Sequence, residues 1–190
     1  MTAEPSTSER LVQSAMAEFR DHGFAGTDTN KIARRAGFAP QTFYRWFKDK
    51  TEVFVAAYRA WEDEERATLR DLTRQGARLE ALVDAIIAQH RSHRKFRRSL
   101  RSLSLEVDDM RLARAQSRAR QAERIERASS GVPLPRADIV VRLLQIERLA
   151  DAVAEEELAD MGLDDAVARG RIGQILAELG GTDTLPASVE

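Results

Sequence analysis

Apolar residues recur along this chain at three- and four-residue spacings, and no alternating Val/Ile/Thr run is long enough for a buried strand. That period predicts helices almost throughout. Ser6 and Glu9 stand at capping-box spacing after Pro5, so a first helix is expected there, with Val12, Ala15, Met16 and Phe19 as its apolar stripe and Gly23 as its stop. The polar cluster Thr27-Asp28-Thr29-Asn30 can accept from the exposed N–H groups of a second, short helix carrying Ile32, Ala33 and Ala36 inward and ending at Gly37. A third is expected over 40–47. A fourth runs from about Thr51 to Arg74 before Gly76, and a fifth from Leu79 to Arg91. Residues 91–127 are rich in arginine at mostly helical spacing, "SSGVPLPRAD" reads as a loop, and Ile139–Leu158 and Ala166–Leu179 form two late amphipathic helices.

The stretch 40–47 carries the functional signal. At about 100° per residue, Pro40, Phe43 and Phe47 fall on one side, while Gln41 and Arg45 point away, flanked by Thr42 and Trp46 on one hand and Tyr44 on the other. An aromatic helix is ordinarily core, and that reading holds for Phe43 and Phe47. Three large outward side chains, Tyr44, Arg45 and Trp46, need a partner to justify their exposure. Arg can fork onto guanine, Gln onto adenine, and Thr can meet a thymine methyl, while Tyr44 and Lys50 suit phosphates. Two short helices joined through Gly37-Phe38-Ala39 have the spacing of a helix-turn-helix.

The pattern "IARRAGFAPQTFYRWFKDKTEVF", with Phe19-x-x-x-Gly23-Phe24 before it, resembles the DNA-binding region of the tetracycline-repressor (TetR) family over roughly residues 9–56. The resemblance implies an all-α protein with an N-terminal three-helix DNA-binding domain and a C-terminal helical bundle for ligand binding and dimerisation. It places Thr29 and Asn30 at a phosphate-touching helix start, Gln41, Thr42, Tyr44 and Trp46 at contacting positions, and Lys50 at a phosphate-binding lysine. Ala39 departs from the pattern, where a capping Ser or Thr is usual, and so does Trp46, where a smaller or more polar aromatic is usual. The domains expected are 1–50 for DNA, with the motif at about 29–48, 51–180 for effector and dimer, and a flexible tail over 181–190.

Composition narrows the alternatives. Lys+Arg 30 against Asp+Glu 31 gives a net charge of −1, so charge names no partner by itself. The cations Lys31, Arg34, Arg35, Arg45, Lys48 and Lys50 nonetheless gather around the motif. Cys is absent, which removes disulfides and thiolate chemistry. With three His and no Gly-rich phosphate loop, no reaction class is supported, and no cofactor or metal is expected. His90 and His93 have a metal-compatible spacing but lie among Arg91, Arg94 and Lys95. No apolar run suits a membrane span and the start is unlike a signal peptide, so the cytoplasm is expected.

One small DNA-binding domain binds weakly, and a homodimer placing two recognition helices about 34 Å apart on a palindromic operator is the expected solution. Ile172, Ile175, Leu176 and Leu179, in a stripe with Ala168, are the candidate dimer contact, with Gly170 and Gly173 allowing close approach, or else a stripe that packs within its own subunit. Tyr58 and Trp61 are the candidate pocket for a small-molecule effector, or core residues. The Arg-rich 91–127 segment is either a solvated face, an anion site, or the binding surface of a helical protein that holds RNA or an acidic partner.

Overall fold

The computed structural model describes residues 4–128 and 134–180, and every regular element among them is an α-helix. Ser6 accepts from the Glu9 N–H while the Glu9 carboxylate accepts from the Ser6 N–H, so α1 (Thr7–His22) starts on the expected capping box. α2 (Thr29–Arg35), α3 (Pro40–Phe43) and α4 (Lys50–Arg74) follow, then α5 (Leu79–Ser92), α6 (Arg94–Glu106), α7 (Asp108–Ala128), α8 (Arg136–Ala154), α9 (Glu157–Asp160) and α10 (Ala166–Gly180).

Three expectations are corrected. The arginine-rich stretch is two helices, because Val107 is extended (φ −121°, ψ 115°) between α6 and α7, with its side chain packed against the first core. α8 begins at Arg136, directly after Pro135 and inside the expected loop, since Pro lacks the N–H that a first turn leaves unbonded. It ends at Ala154 rather than near Leu158, where Glu156 takes a left-handed conformation (φ 65°) that a helix cannot continue through. Residues 129–133 of the expected loop and the expected tail 181–190 lie outside the described residues.

Packing gathers the chain into two units: Met1–Ala67 with Ser92–Arg114, and Thr68–Arg91 with Ala115–Glu190. The core of the first is built from α1 to α4 with α6 and the start of α7. Phe54 of α4 meets Phe19 edge-on at 4.7 Å and Phe96 of α6 at 4.9 Å, so one ring joins three helices. Tyr58 and Trp61 are buried in this core with their rings 6.4 Å apart, and the Arg97 guanidinium lies 5.0 Å over the Trp61 ring.

The second core joins Val83, Ile86 and Ile87 of α5 to Ile146, Ala150 and Val153 of α8 and to Ile172 and Ile175 of α10. The stripe of the last helix enters this core. Ile172 and Ile175 are fully buried within their own subunit, and Leu176 and Leu179 pack half-buried against the same core. Gly173 likewise faces Leu79 of its own chain. A single amphipathic stripe reads the same whether its partner is in the same chain or in a copy of it.

The turn between α1 and α2 is close-packed on its own backbone. A Cβ built on Gly26 would meet the His22 carbonyl oxygen at 2.3 Å. Gly26→Ala is therefore expected to lower stability by about 1–3 kcal/mol, the range for forced overpacking. Urea unfolding checks this as a lower midpoint at unchanged slope.

Candidate nucleic-acid interface

Asp28 is the N-cap of α2. Its carboxylate accepts from the Lys31 N–H at 2.8 Å, and that bond holds it below the usual carboxylate range. The helix ends in a Schellman motif, with Phe38 N–H on Ala33 O at 2.9 Å and Gly37 N–H on Arg34 O at 3.0 Å. Gly37 has φ 78°, a conformation in which a Cβ is strained. Arg10 of α1 locks this turn: its Nη2 donates to Ala36 O at 2.9 Å, and its guanidinium lies 4.5 Å over the Phe38 ring.

The next helix starts without a side-chain cap at Ala39 and with Pro40 at its first position. Pro40, expected inward, is exposed. The regular helix is one turn, and Trp46 N–H then reaches Phe43 O at 2.9 Å, a tightened bond that leads the chain toward α4. Asp49 and Glu52 cap α4, accepting from the Glu52 N–H at 2.9 Å and the Lys48 N–H at 2.6 Å.

The faces separate as the spacing predicts. Phe43 is fully buried and Phe47 nearly so, while Gln41 and Arg45 are exposed and Tyr44 and Trp46 are 58 % and 50 % exposed. Thr42 is half-buried between the two faces. The Tyr44 hydroxyl lies 3.0 Å from the Thr29 hydroxyl, and Asn30 is exposed beside it, so the start of α2 and the outer face of α3 form one polar surface. The Lys50 ammonium donates to Phe24 O at 2.7 Å and Thr27 O at 3.0 Å and is part-buried.

Residues that bear on the site only through the fold escaped the sequence reading. Glu18 of α1 accepts from the Thr27 hydroxyl at 2.8 Å and from Arg35 at 2.9 Å, tying both ends of α2 to α1. Arg35 also pairs with Asp21 at 3.3 Å. These partners stand 9 to 17 residues from Glu18, with no local pattern to mark them.

The arginine-rich segment is largely engaged within the chain. Arg111 pairs with Asp108, Arg118 with Glu147 and Arg127 with Glu123, and Arg97 is buried. The two histidines have separate partners, His90 with Asp151 and His93 with Ser92, each at 2.9 Å.

Residues 11–57, which hold both short helices and the turn between them, match the family described as bacterial regulatory proteins, tetR family. That match is confined to the N-terminal part of the chain. Its fold is shared by solved regulators across nearly the whole length. A Rhodococcus sp. protein assigned to TetR-family transcriptional regulators superposes with a TM-score of 0.71 at 18 % identity, covering 92 % of this chain and 98 % of that one. A transcriptional regulator from Rhodococcus sp. Rha1 gives 0.66 at 17 % identity, covering 94 % and 100 %. The Thermus thermophilus repressor FadR, solved in complex with lauroyl-CoA, gives 0.60 at 19 % identity, covering 96 % and 100 %. No curated protein matches the sequence. Among the described residues, no helix is long and apolar enough to cross a membrane.

Burial alone raises the Glu18 carboxyl, but hydrogen bonds from Arg35 and Thr27 outweigh it and hold the group below its ordinary 4.5. A depressed carboxylate contributes stability that is present above the unfolded value and is lost as pH falls through the folded one. Relative to Glu18→Gln, the wild type is expected to keep a constant stability advantage above about pH 5 and to lose it progressively below 4.5. Chemical denaturation of both proteins across that range measures the difference.

Proposed function

We propose that this chain is a homodimeric operator-binding regulator, a repressor, that is released from DNA by a small-molecule effector. The observation that carries the reading is the outward face of α3. Gln41, Tyr44, Arg45 and Trp46 stand exposed on a segment whose Phe43 and Phe47 are anchored in the core, so the polar groups are fixed without being consumed. In the major groove, Arg45 and Gln41 would read base edges. Thr42 and Trp46 would flank them, while Thr29, Asn30 and Tyr44 would meet the backbone.

The dimer reading now moves to other residues of the same two helices. Val141, Leu144, Gln145 and Arg148 form an exposed stripe on α8 at i, i+3, i+4 and i+7, and Val167, Gly170, Arg171 and Gln174 do so on α10. Arg142 of α8 pairs with Glu178 of α10 at 2.7 Å, so the two helices present their stripes from one packed pair. Two such pairs make a four-helix contact about a two-fold axis.

Thermus FadR, with the same fold, is seen with lauroyl-CoA. Here Tyr58 and Trp61 are buried among α4 and α6, and an effector contacting them would do so by shifting those helices. Whatever the molecule, linkage requires that it and operator weaken each other's binding equally.

Sequencing genomic fragments captured by the purified protein is expected to return a palindromic site with half-sites about one helical turn apart. Against that duplex, Arg45→Ala should cost about 1–3 kcal/mol, with little change on scrambled DNA; equal losses on both would remove its reading role. Val141→Glu combined with Leu144→Glu should yield monomers in sedimentation and weaken operator binding, whereas an intact dimer would reject the α8 contact.

A further inference from the structure

We propose that Lys50 is a positioning residue of the DNA interface: it holds the loop before α2 through the Phe24 and Thr27 carbonyls and thereby sets the end of α2 that bears Thr29 and Asn30. The proposal rests on the operator-binding reading for its consequence, though not for its geometry.

A cation in the first turn of a 25-residue helix faces the positive end of the helix dipole, an unfavourable place unless other groups satisfy it. Those groups are present. The Lys50 ammonium donates to Phe24 O at 2.7 Å and to Thr27 O at 3.0 Å, and it lies 4.0 Å over the Phe24 ring. Two of its three N–H bonds are therefore directed into the protein. Burial lowers its pKa from the ordinary lysine value, with Asp28 acting the other way, in keeping with an ammonium drawn out of water.

The loop it holds is gripped elsewhere as well. Phe24 N–H donates to the Ser99 hydroxyl of α6 at 2.9 Å, and Lys95 donates to Asp21 O at 2.7 Å. The Phe24 ring packs against Phe19 and Phe54. Phe24 is thus fixed by its N–H, its carbonyl and its ring. Lys50 extends that fixation to the Thr27 carbonyl, while the Thr27 hydroxyl donates to Glu18 at 2.8 Å; the next residue, Asp28, caps α2, and Thr29 after it meets Tyr44 of the recognition segment. Moving the Lys50 ammonium to a phosphate would free two carbonyls in a part-buried loop, at a cost in lost hydrogen bonds.

The two roles make different predictions. A phosphate ligand contributes about one unit to the salt dependence of binding on any sequence, whereas a positioning residue changes the preference for the operator and leaves that slope intact. Lys50→Met and Lys50→Arg would be compared with wild type by fluorescence anisotropy on the captured duplex and on a scrambled one at several salt concentrations. Amide hydrogen exchange of residues 28–32 would be followed in the free proteins.

Lys50→Met is expected to lose tenfold or more in operator affinity with scrambled-DNA binding and salt slope unchanged, and its α2 amides should exchange faster. Lys50→Arg keeps the charge and so isolates geometry; it should show the same loss, because a branched planar fork replaces the single ammonium seated between two carbonyls. A slope reduced by about one in Lys50→Met, full operator affinity in Lys50→Arg, or unaltered exchange in both would each overturn the proposal. If wild type shows no preference for the captured duplex, the operator-binding reading falls, and the exchange arm still decides whether Lys50 holds the loop.

Discussion

Two phenyl rings four residues apart decide which way the recognition segment faces. Phe43 and Phe47 enter the first core, each burial contributing on the order of 1.5–3 kcal/mol. That fixes the rotation of a segment with only one regular helical turn. Such a short helix has little stability of its own, so its orientation has to come from packing. Turning it outward would expose both rings and bury Gln41 and Arg45 unpaired. Everything the polar face can do follows from that constraint.

Around the rings lies a layer of polar ties that fix position rather than rotation. Arg10 locks the turn before α3, Glu18 ties both ends of α2 to α1, and Lys50 holds the loop that leads into α2. Most join a side chain to a backbone carbonyl or to a buried hydroxyl, so each also satisfies a group that burial would otherwise leave without a hydrogen bond. The operator-binding proposal depends on this second layer, because hydrogen bonds weaken steeply as their geometry is displaced. Ion pairs farther out, such as Lys48 with Asp109 at 3.7 Å, are exposed on both sides and contribute little to that precision.

The second unit follows another logic. Its core is aliphatic, drawn from α5, α8 and α10, and the outward stripes of α8 and α10 mix Val and Leu with Gln and Arg. The buried pair His90 with Asp151 is satisfied side chain to side chain, as a low-dielectric interior demands.

The helices were legible because their signals are local: the Ser6–Glu9 box, the polar cluster before Ile32, the Gly37 turn and the three- and four-residue apolar periods all lie within a few residues of what they control. The inward and outward sides of α3 were legible for the same reason, except at exposed Pro40. By itself, then, the sequence determined the all-helical class, the helix-turn-helix and the side chains of its outer face. Only the tertiary structure decided that Ile172 and Ile175 fill their own subunit, that α6 and α7 part at Val107, and that Lys50 turns inward to Phe24 and Thr27. The physical reason is distance along the chain: an apolar stripe or an ammonium carries no mark of which remote surface will satisfy it, and that choice is made by packing among residues that meet only on folding.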